Sequence, residues 1–130
     1  RATPIVRAGK GHAKVREGAE VDVFLMQCWQ REGEVVDREQ VYAEWFRGQL
    51  LKLGGATAEV LGVRSFQLDR LSRRHHAEDQ RKTLKGRPDV TFSGTLEVKD
   101  AEAFQTLLAR GVGRHRAFGF GMLLVRPPAR

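Results

Sequence analysis

Between Gly111 and Gly121 the chain reads GVGRHRAFGFG. Four glycines frame Arg114, His115 and Arg116, and Phe118 and Phe120 alternate with the last two of them. Each residue type brings a distinct capability. Glycine lets backbone N–H groups come close to an anion, and arginine adds charge and forked hydrogen bonds suited to phosphate. Phenylalanine offers a face on which a nucleobase can stack. Histidine titrates near neutrality and suits proton transfer. A second stretch, SRRHHAEDQRKTLKGRPD (72–89), gathers Arg73, Arg74, Arg81, Lys82, Lys85 and Arg87. Glu78 and Asp79 interrupt it.

Charge placement ties the two stretches together. The chain carries a net charge of +7. Residues 64–87 hold eight Lys and Arg against three Asp and Glu, and 111–130 hold four Arg and no acid. The remaining residues sum to −2, so the whole excess lies in these two segments. That pattern suits a polyanion such as nucleic acid. A basic, solvated surface without a partner is the plainer alternative.

Other chemistries have little support. The single Cys28 can form no internal disulfide, and nothing has the spacing of a zinc site, so neither metal nor cofactor is expected. The longest apolar runs, VFLM at 23–26 and MLLV at 122–125, are too short to span a bilayer. The expected setting is therefore reducing and cytoplasmic, with no membrane partner. The chain opens at Arg1 rather than at a methionine, which suggests a lost leader or preceding domain.

The elements that must position the two stretches follow from periodicity. At 130 residues, the chain has the size of one domain, 1–130, with a sizeable core. RATPIVR (1–7) reads as a short strand, and the glycine-punctuated, basic segment 8–18 as a loop. Residues 19–29 open with apolar alternation at 19, 21 and 23 and read as an accessory strand. Residues 37–55 form the strongest helix. Asp37 caps it, Gln40 follows three residues on, and Gly54 and Gly55 end it. Tyr42, Trp45, Phe46, Leu50 and Leu53 make its apolar stripe. A strand follows over 56–71, with a phase shift between Val63 and Phe66 that predicts a bulge. A second strand covers 90–98, with Val90, Phe92, Leu96 and Val98 on one face. Asp100 caps a second helix bearing Phe104, Leu107 and Leu108, and Gly111 stops it. MLLVRP is the expected last strand. The order strand, helix, strand, strand, helix, strand is the ferredoxin-like α+β arrangement, a βαββαβ antiparallel sheet with two helices on one face.

The glycine loop admits three readings. As a mononucleotide cradle it lacks the helix that should follow it. As the aromatic signature of an RNA-recognition motif, RAFGFG introduces the final strand instead of occupying the third. As a loop that tracks an RNA backbone it meets no such objection. Phe120 reads more readily as core than as a stacking platform, while Phe118 fits either role.

The last third of the chain resembles a known family. VTFSGTLEVKDAEAFQTLLARGVGRHRAFGFGMLLVRP (90–127) is similar to the CasE-type CRISPR RNA-processing endoribonucleases of type I-E systems. It shares F-x-G-x-L-x-V, an Asp, a helix, the glycine loop and an L-L strand. RATPIVR is similar to that family's R-A-N-P segment, with Thr3 in place of Asn, and the helix containing AEWF sits where expected. The resemblance is weakest over 8–36.

The resemblance implies two tandem ferredoxin-like domains, of which this chain would be the second. It implies metal-independent cleavage of a CRISPR repeat transcript at the base of its hairpin, by attack of a 2′-hydroxyl on the adjacent phosphate. The family's catalytic histidine and tyrosine belong to the first domain and have no counterpart here, so no catalytic residue is assigned. His75 and His76 are expected at RNA or solvent, His12 at solvent, and His115 near RNA without a catalytic role. The implied RNA-binding residues are Arg73, Arg74, Arg81, Lys82, Lys85 and Arg87 in the basic hairpin. In the loop they are Gly111, Gly113, Arg114, His115, Arg116, Phe118, Gly119 and Gly121. The implied partners are a CRISPR repeat RNA hairpin, other subunits of the Cascade complex, and the N-terminal half of the same protein. The rival readings are a non-enzymatic RNA-binding or scaffold domain and a small-molecule sensor of the same fold; a sensor should lack this concentration of charge.

Overall fold

The computed structural model describes residues 1–74 and 81–129, with the backbone alone described over 71–74 and 81–85. Strand β1 (Ile5–Arg7) pairs antiparallel with β2 (Glu20–Asp22). The accessory strand expected over 19–29 is only these three residues. At Val23 the chain turns into helix α1 (Val23–Gln30). The reason is local: the Asp22 carboxylate accepts a hydrogen bond from the Phe24 N–H at 2.8 Å and caps the first turn. Val23 and Met26 are then buried one helical turn apart, so the alternation ending at Val23 gives way to a helical period.

Helix α2 (Arg38–Leu53) follows the expected boundaries. Asp37 accepts from Gln40 N–H at 3.2 Å, and the Gly54 N–H closes the last turn on the Leu50 carbonyl. Tyr42, Phe46 and Leu50 of the apolar stripe are buried, whereas Leu53 lies at its exposed end. Strands β3 (Ala56–Arg74) and β4 (Arg81–Val98) form a long antiparallel hairpin. The ladder has a register shift between Val63 and Ser65, where the apolar phase shifts, and two others at Ala58/Val60 and Asp69/Leu71. Both strands run beyond the apolar segments into the basic stretch, because ladder hydrogen bonds come from the backbone and tolerate polar side chains. Helix α3 (Ala101–Arg110) is capped by Asp100, which accepts from Ala103 N–H at 2.7 Å, and it stops at Gly111.

The main core lies between the helices and one face of the hairpin. Phe46 and Leu50 of α2 and Leu107 of α3 pack with Ala56 and Val112, and Phe92 and Leu96 of β4 press against them from the sheet. Trp45 belongs to this layer, stacked on Phe92 with ring centroids 6.4 Å apart. A second cluster joins Val23, Val41, Tyr42 and Val90 beneath α1.

Three backbone contacts set the order across the sheet. Ala2 and Val90 exchange N–H···O bonds of 2.8 and 2.9 Å, which lays the start of the chain beside β4. The Gly121 N–H donates to the Arg1 carbonyl at 2.7 Å, which lays the end of the glycine loop on the opposite side. The sequence of neighbours is thus the Gly121 segment, the Arg1–Ala2 segment, β4 and β3. This is the ferredoxin-like order, with both flanking helices on one face. The expected last strand over MLLVRP is not formed. Leu123 packs on the core while Met122 and Leu124 are 63% and 87% exposed. Gly121, just before that run, bonds to the neighbouring segment as a strand residue would, and Val125 is exposed as well. Among the described residues, however, the single bond at Gly121 does not continue into a ladder.

Candidate nucleic-acid interface

The glycine loop begins where α3 ends. Gly111 has φ +75°, a left-handed conformation that a side chain disfavours, and its N–H caps Leu107. The loop closes when the Val112 N–H donates to the Gly121 carbonyl at 2.8 Å. Within it a short 3-10 turn, Arg116–Phe118, is entered through His115 and left through Gly119, both left-handed. His115 is the only non-glycine residue with positive φ among the described residues.

Its side chain shows what holds it there. His115 Nε2 lies 2.8 Å from Glu20 Oε2. Arg114 Nε lies 3.0 Å from Glu20 Oε1, and an Arg87 terminal nitrogen lies 3.2 Å from Oε2. Arg87 also donates to the Glu20 carbonyl at 3.1 Å. One carboxylate on β2 therefore binds three basic groups, one from β4 and two from the loop. Burial alone would raise the pKa of Glu20. The hydrogen bond and charge of His115, and the charges of Arg87 and Arg114, outweigh it and hold the carboxyl below its ordinary range.

The three cations differ in what they leave outside. The side chains of Arg87 and His115 are each 14% exposed, whereas that of Arg114 is 45% exposed. Arg116 is exposed and donates to the Arg110 carbonyl at 2.7 Å, which ties the far side of the loop back to α3. Phe118 is half-buried, edge-on to the His115 ring at 6.1 Å. Phe120 is 2% exposed and belongs to the interior, with the Arg1 guanidinium 4.5 Å above its ring. Arg1 is itself fixed by Asp89 at 2.9 Å.

The glycines divide by role. A Cβ on Gly113 would stand 3.0 Å from the Trp45 ring, so this glycine makes room for core packing. Gly111 and Gly121 close the neck of the loop. Gly119 is exposed, and a Cβ there would meet nothing nearer than an Arg1 nitrogen at 3.7 Å.

The basic hairpin places its cations by register. Arg73 pairs with Lys82 and Arg74 with Arg81 across the ladder. Each of these backbone pairs sets two basic residues at one register position. Lys85 lies on the same strand, β4, toward Arg87. The histidines His75 and His76 lie outside the described residues. Arg87 forms the junction between the two stretches, since it leaves the base of the hairpin and reaches Glu20 beneath the loop.

Sequence reasoning missed Glu20 altogether. It is 67 residues from Arg87 and 95 from His115, and no local pattern announces the contact. A separate cavity of about 460 Å³ lies between β1, α1 and α2, bordered by Arg7, Met26, Glu44 and Trp45. None of the residues of the two stretches lines it.

The family model for CRISPR associated protein matches residues 1–127. The chain belongs to that family. Among solved structures this CRISPR associated protein is similar to the CRISPR endoribonuclease Cse3 bound to 19 nt RNA, at 24% identity and a TM-score of 0.66. The similarity covers 97% of this chain and 53% of that one, so the chain spans about half the length of Cse3. Cse3 is of the CasE type, and the likeness carries the ferredoxin-like fold read from the sequence. No curated protein matches the chain. No helix among the described residues is long and apolar enough to cross a membrane.

Proposed function

We propose that this chain binds the stem-loop of CRISPR repeat RNA through the glycine loop and the basic hairpin together. The whole enzyme would be a metal-independent endoribonuclease that matures CRISPR RNA in the cytoplasm and stays on its product within the Cascade complex. Its partners would be that RNA, other Cascade subunits and an N-terminal half carrying the catalytic groups. The observation that carries the reading is the meeting of the two basic stretches, with Arg87 of the hairpin strand and Arg114 and His115 of the loop gathered on Glu20. Membership of the family and likeness to a protein solved with RNA support it.

In this reading Arg73, Arg74, Arg81, Lys82 and Lys85 meet phosphates of the stem, and Arg114 and Arg116 meet them at the loop. Gly119 gives the backbone room to approach, and Phe118 stands at the edge of the contact. Gly111, Gly113, Gly121, His115 and Arg87 shape the surface from behind. The part played by this chain is to hold the RNA: His115, the described histidine nearest the cations, is engaged by Glu20 and largely covered. The test is direct binding of a cognate repeat hairpin, compared with a single strand of the same composition. Preference for the hairpin is expected. Equal, weak binding to both would reduce the chain to a basic surface.

A further inference from the structure

We infer that Glu20 is a positioning residue for RNA binding: it fixes Arg114 in place and locks the glycine loop to the base of the basic hairpin. The inference rests on the RNA-binding reading above and adds to it how the two stretches are set relative to each other.

The geometry separates two roles that an internal carboxylate can play. It can stand in for a phosphate and give way when RNA arrives, or it can remain as a brace. Three observations favour the brace. Glu20 sits within the β1–β2 ladder opposite Arg7, and its carbonyl is bound by Arg87. Its side chain is only 16% exposed, so a phosphate could reach its place only by displacing neighbouring structure. Two of its three basic partners, Arg87 and His115, are as covered as it is, and they offer a polyanion little surface.

Arg114 differs. It is engaged through Nε, on the inner edge of the guanidinium, and its side chain is 45% exposed. A guanidinium pinned at one edge keeps its terminal N–H groups for a second acceptor in a set direction. Preorganising such a side chain spares the entropy of ordering it on binding. The same carboxylate holds His115, whose left-handed backbone defines the turn of the loop, so one anchor sets both the side chain and the backbone beside it. Through Arg87 that anchor is tied to β4, and the spacing between loop and hairpin becomes a fixed property of the fold.

The experiment is a double-mutant cycle on repeat-hairpin affinity, using Glu20→Gln, Arg114→Ala and the pair. Amide hydrogen exchange over residues 114–119 without RNA forms a second arm. Glu20→Gln keeps the size of the side chain and removes its charge. The expected results are affinity about tenfold weaker in Glu20→Gln, almost no further loss when the substitution is made in Arg114→Ala, and faster exchange in the loop. Unchanged or tighter binding by Glu20→Gln would overturn the inference in favour of a carboxylate that merely competes with RNA. An equal loss with and without Arg114 would overturn it as well, by showing a general loss of structure. If the unaltered chain binds no hairpin, the RNA reading fails, and the exchange arm decides alone: unchanged protection over 114–119 rejects the brace.

Discussion

Gly111 and Gly121 meet back to back at the neck of the glycine loop: a Cβ on Gly111 would stand 2.6 Å from the Gly121 carbonyl oxygen. A Cβ on Gly121 would in turn stand 2.6 Å from the Val112 carbonyl oxygen. The neck is therefore a backbone-to-backbone contact with no room for a side chain on either strand.

Gly121→Ala should cost more stability than Gly119→Ala, although both positions have positive φ, +90° and +83°. At Gly119 the added methyl makes only an ordinary contact with Arg1 at 3.7 Å, so the cost is the left-handed strain alone, about 1–2 kcal/mol. At Gly121 the clash with the Val112 carbonyl adds to it. Urea midpoints of the two variants measure the difference, and equal midpoints would show that the neck opens without penalty.

Glu20 should supply stability that acid removes. Its folded pKa lies below the ordinary 4.5, so its contribution is complete above that value and is lost as pH falls through the lower one. Asp89 behaves likewise below 3.8: burial opposes the charge, but hydrogen bonds from Arg1 and Gln67 prevail. Asp22 has the opposite sign. Burial raises its pKa, and the penalty for charging it grows as pH climbs from 3.8 through the raised value. Glu20→Gln should thus destabilise the chain by roughly 1–3 kcal/mol near neutrality, with the gap closing below pH 4.5. Unfolding series across the acid range measure this; a constant gap contradicts it.

Tyr42→Phe should destabilise the fold by about 1–3 kcal/mol while leaving RNA affinity unchanged. The Tyr42 hydroxyl donates to the buried Asp22 carboxylate at 2.8 Å and accepts from Arg38 at 2.9 Å. Phenylalanine keeps the ring and removes the donor, so the Asp22 carboxylate loses one of its partners in a place water scarcely reaches. Calorimetry and a binding isotherm on the same sample separate the two effects.

The basic hairpin should account for much of the salt dependence of RNA binding. Replacing Arg73, Arg74, Arg81 and Lys82 by Ala should weaken binding and flatten the plot of log affinity against log salt. Each lost phosphate contact should reduce the slope by about 0.7–0.9. An unchanged slope would exclude this segment from the interface.

The chain alone should hold the hairpin without cutting it. Cleavage needs a base and an acid set on opposite sides of an aligned phosphate, and a histidine bound to Glu20 is poorly placed to serve. Incubating the chain with a repeat hairpin in EDTA should yield no cyclic-phosphate product. A single specific cut that His115→Ala abolishes would make the glycine loop an active site.

Sequence alone determined those features whose causes lie within a few residues. Asp37 and Asp100 announce their helices because a cap bonds to an amide three positions ahead, and Gly54 and Gly111 end them for an equally local reason. The phase shift after Val63 disclosed a register shift because strand faces alternate with period two. The placing of Phe120 in the interior followed from the apolar run it introduces. Tertiary structure decided whatever depends on a distant neighbour. The apolar alternation at 19–23 continued as a helix because Asp22 caps it and β1 offers only a three-residue partner. MLLVRP opens on an apolar run like a strand, yet it forms no ladder, since pairing needs a neighbour as well as a composition. Glu20 is the clearest case: in sequence it is one acid between Ala19 and Val21, and only folding brings Arg87, Arg114 and His115 to within about 3 Å of its carboxylate. Charge composition could say that a polyanion is suited to this chain. Which cations face it, and which are spent inside on Glu20, is a matter of three-dimensional distance, because ionic contacts depend on separation in space and not along the chain.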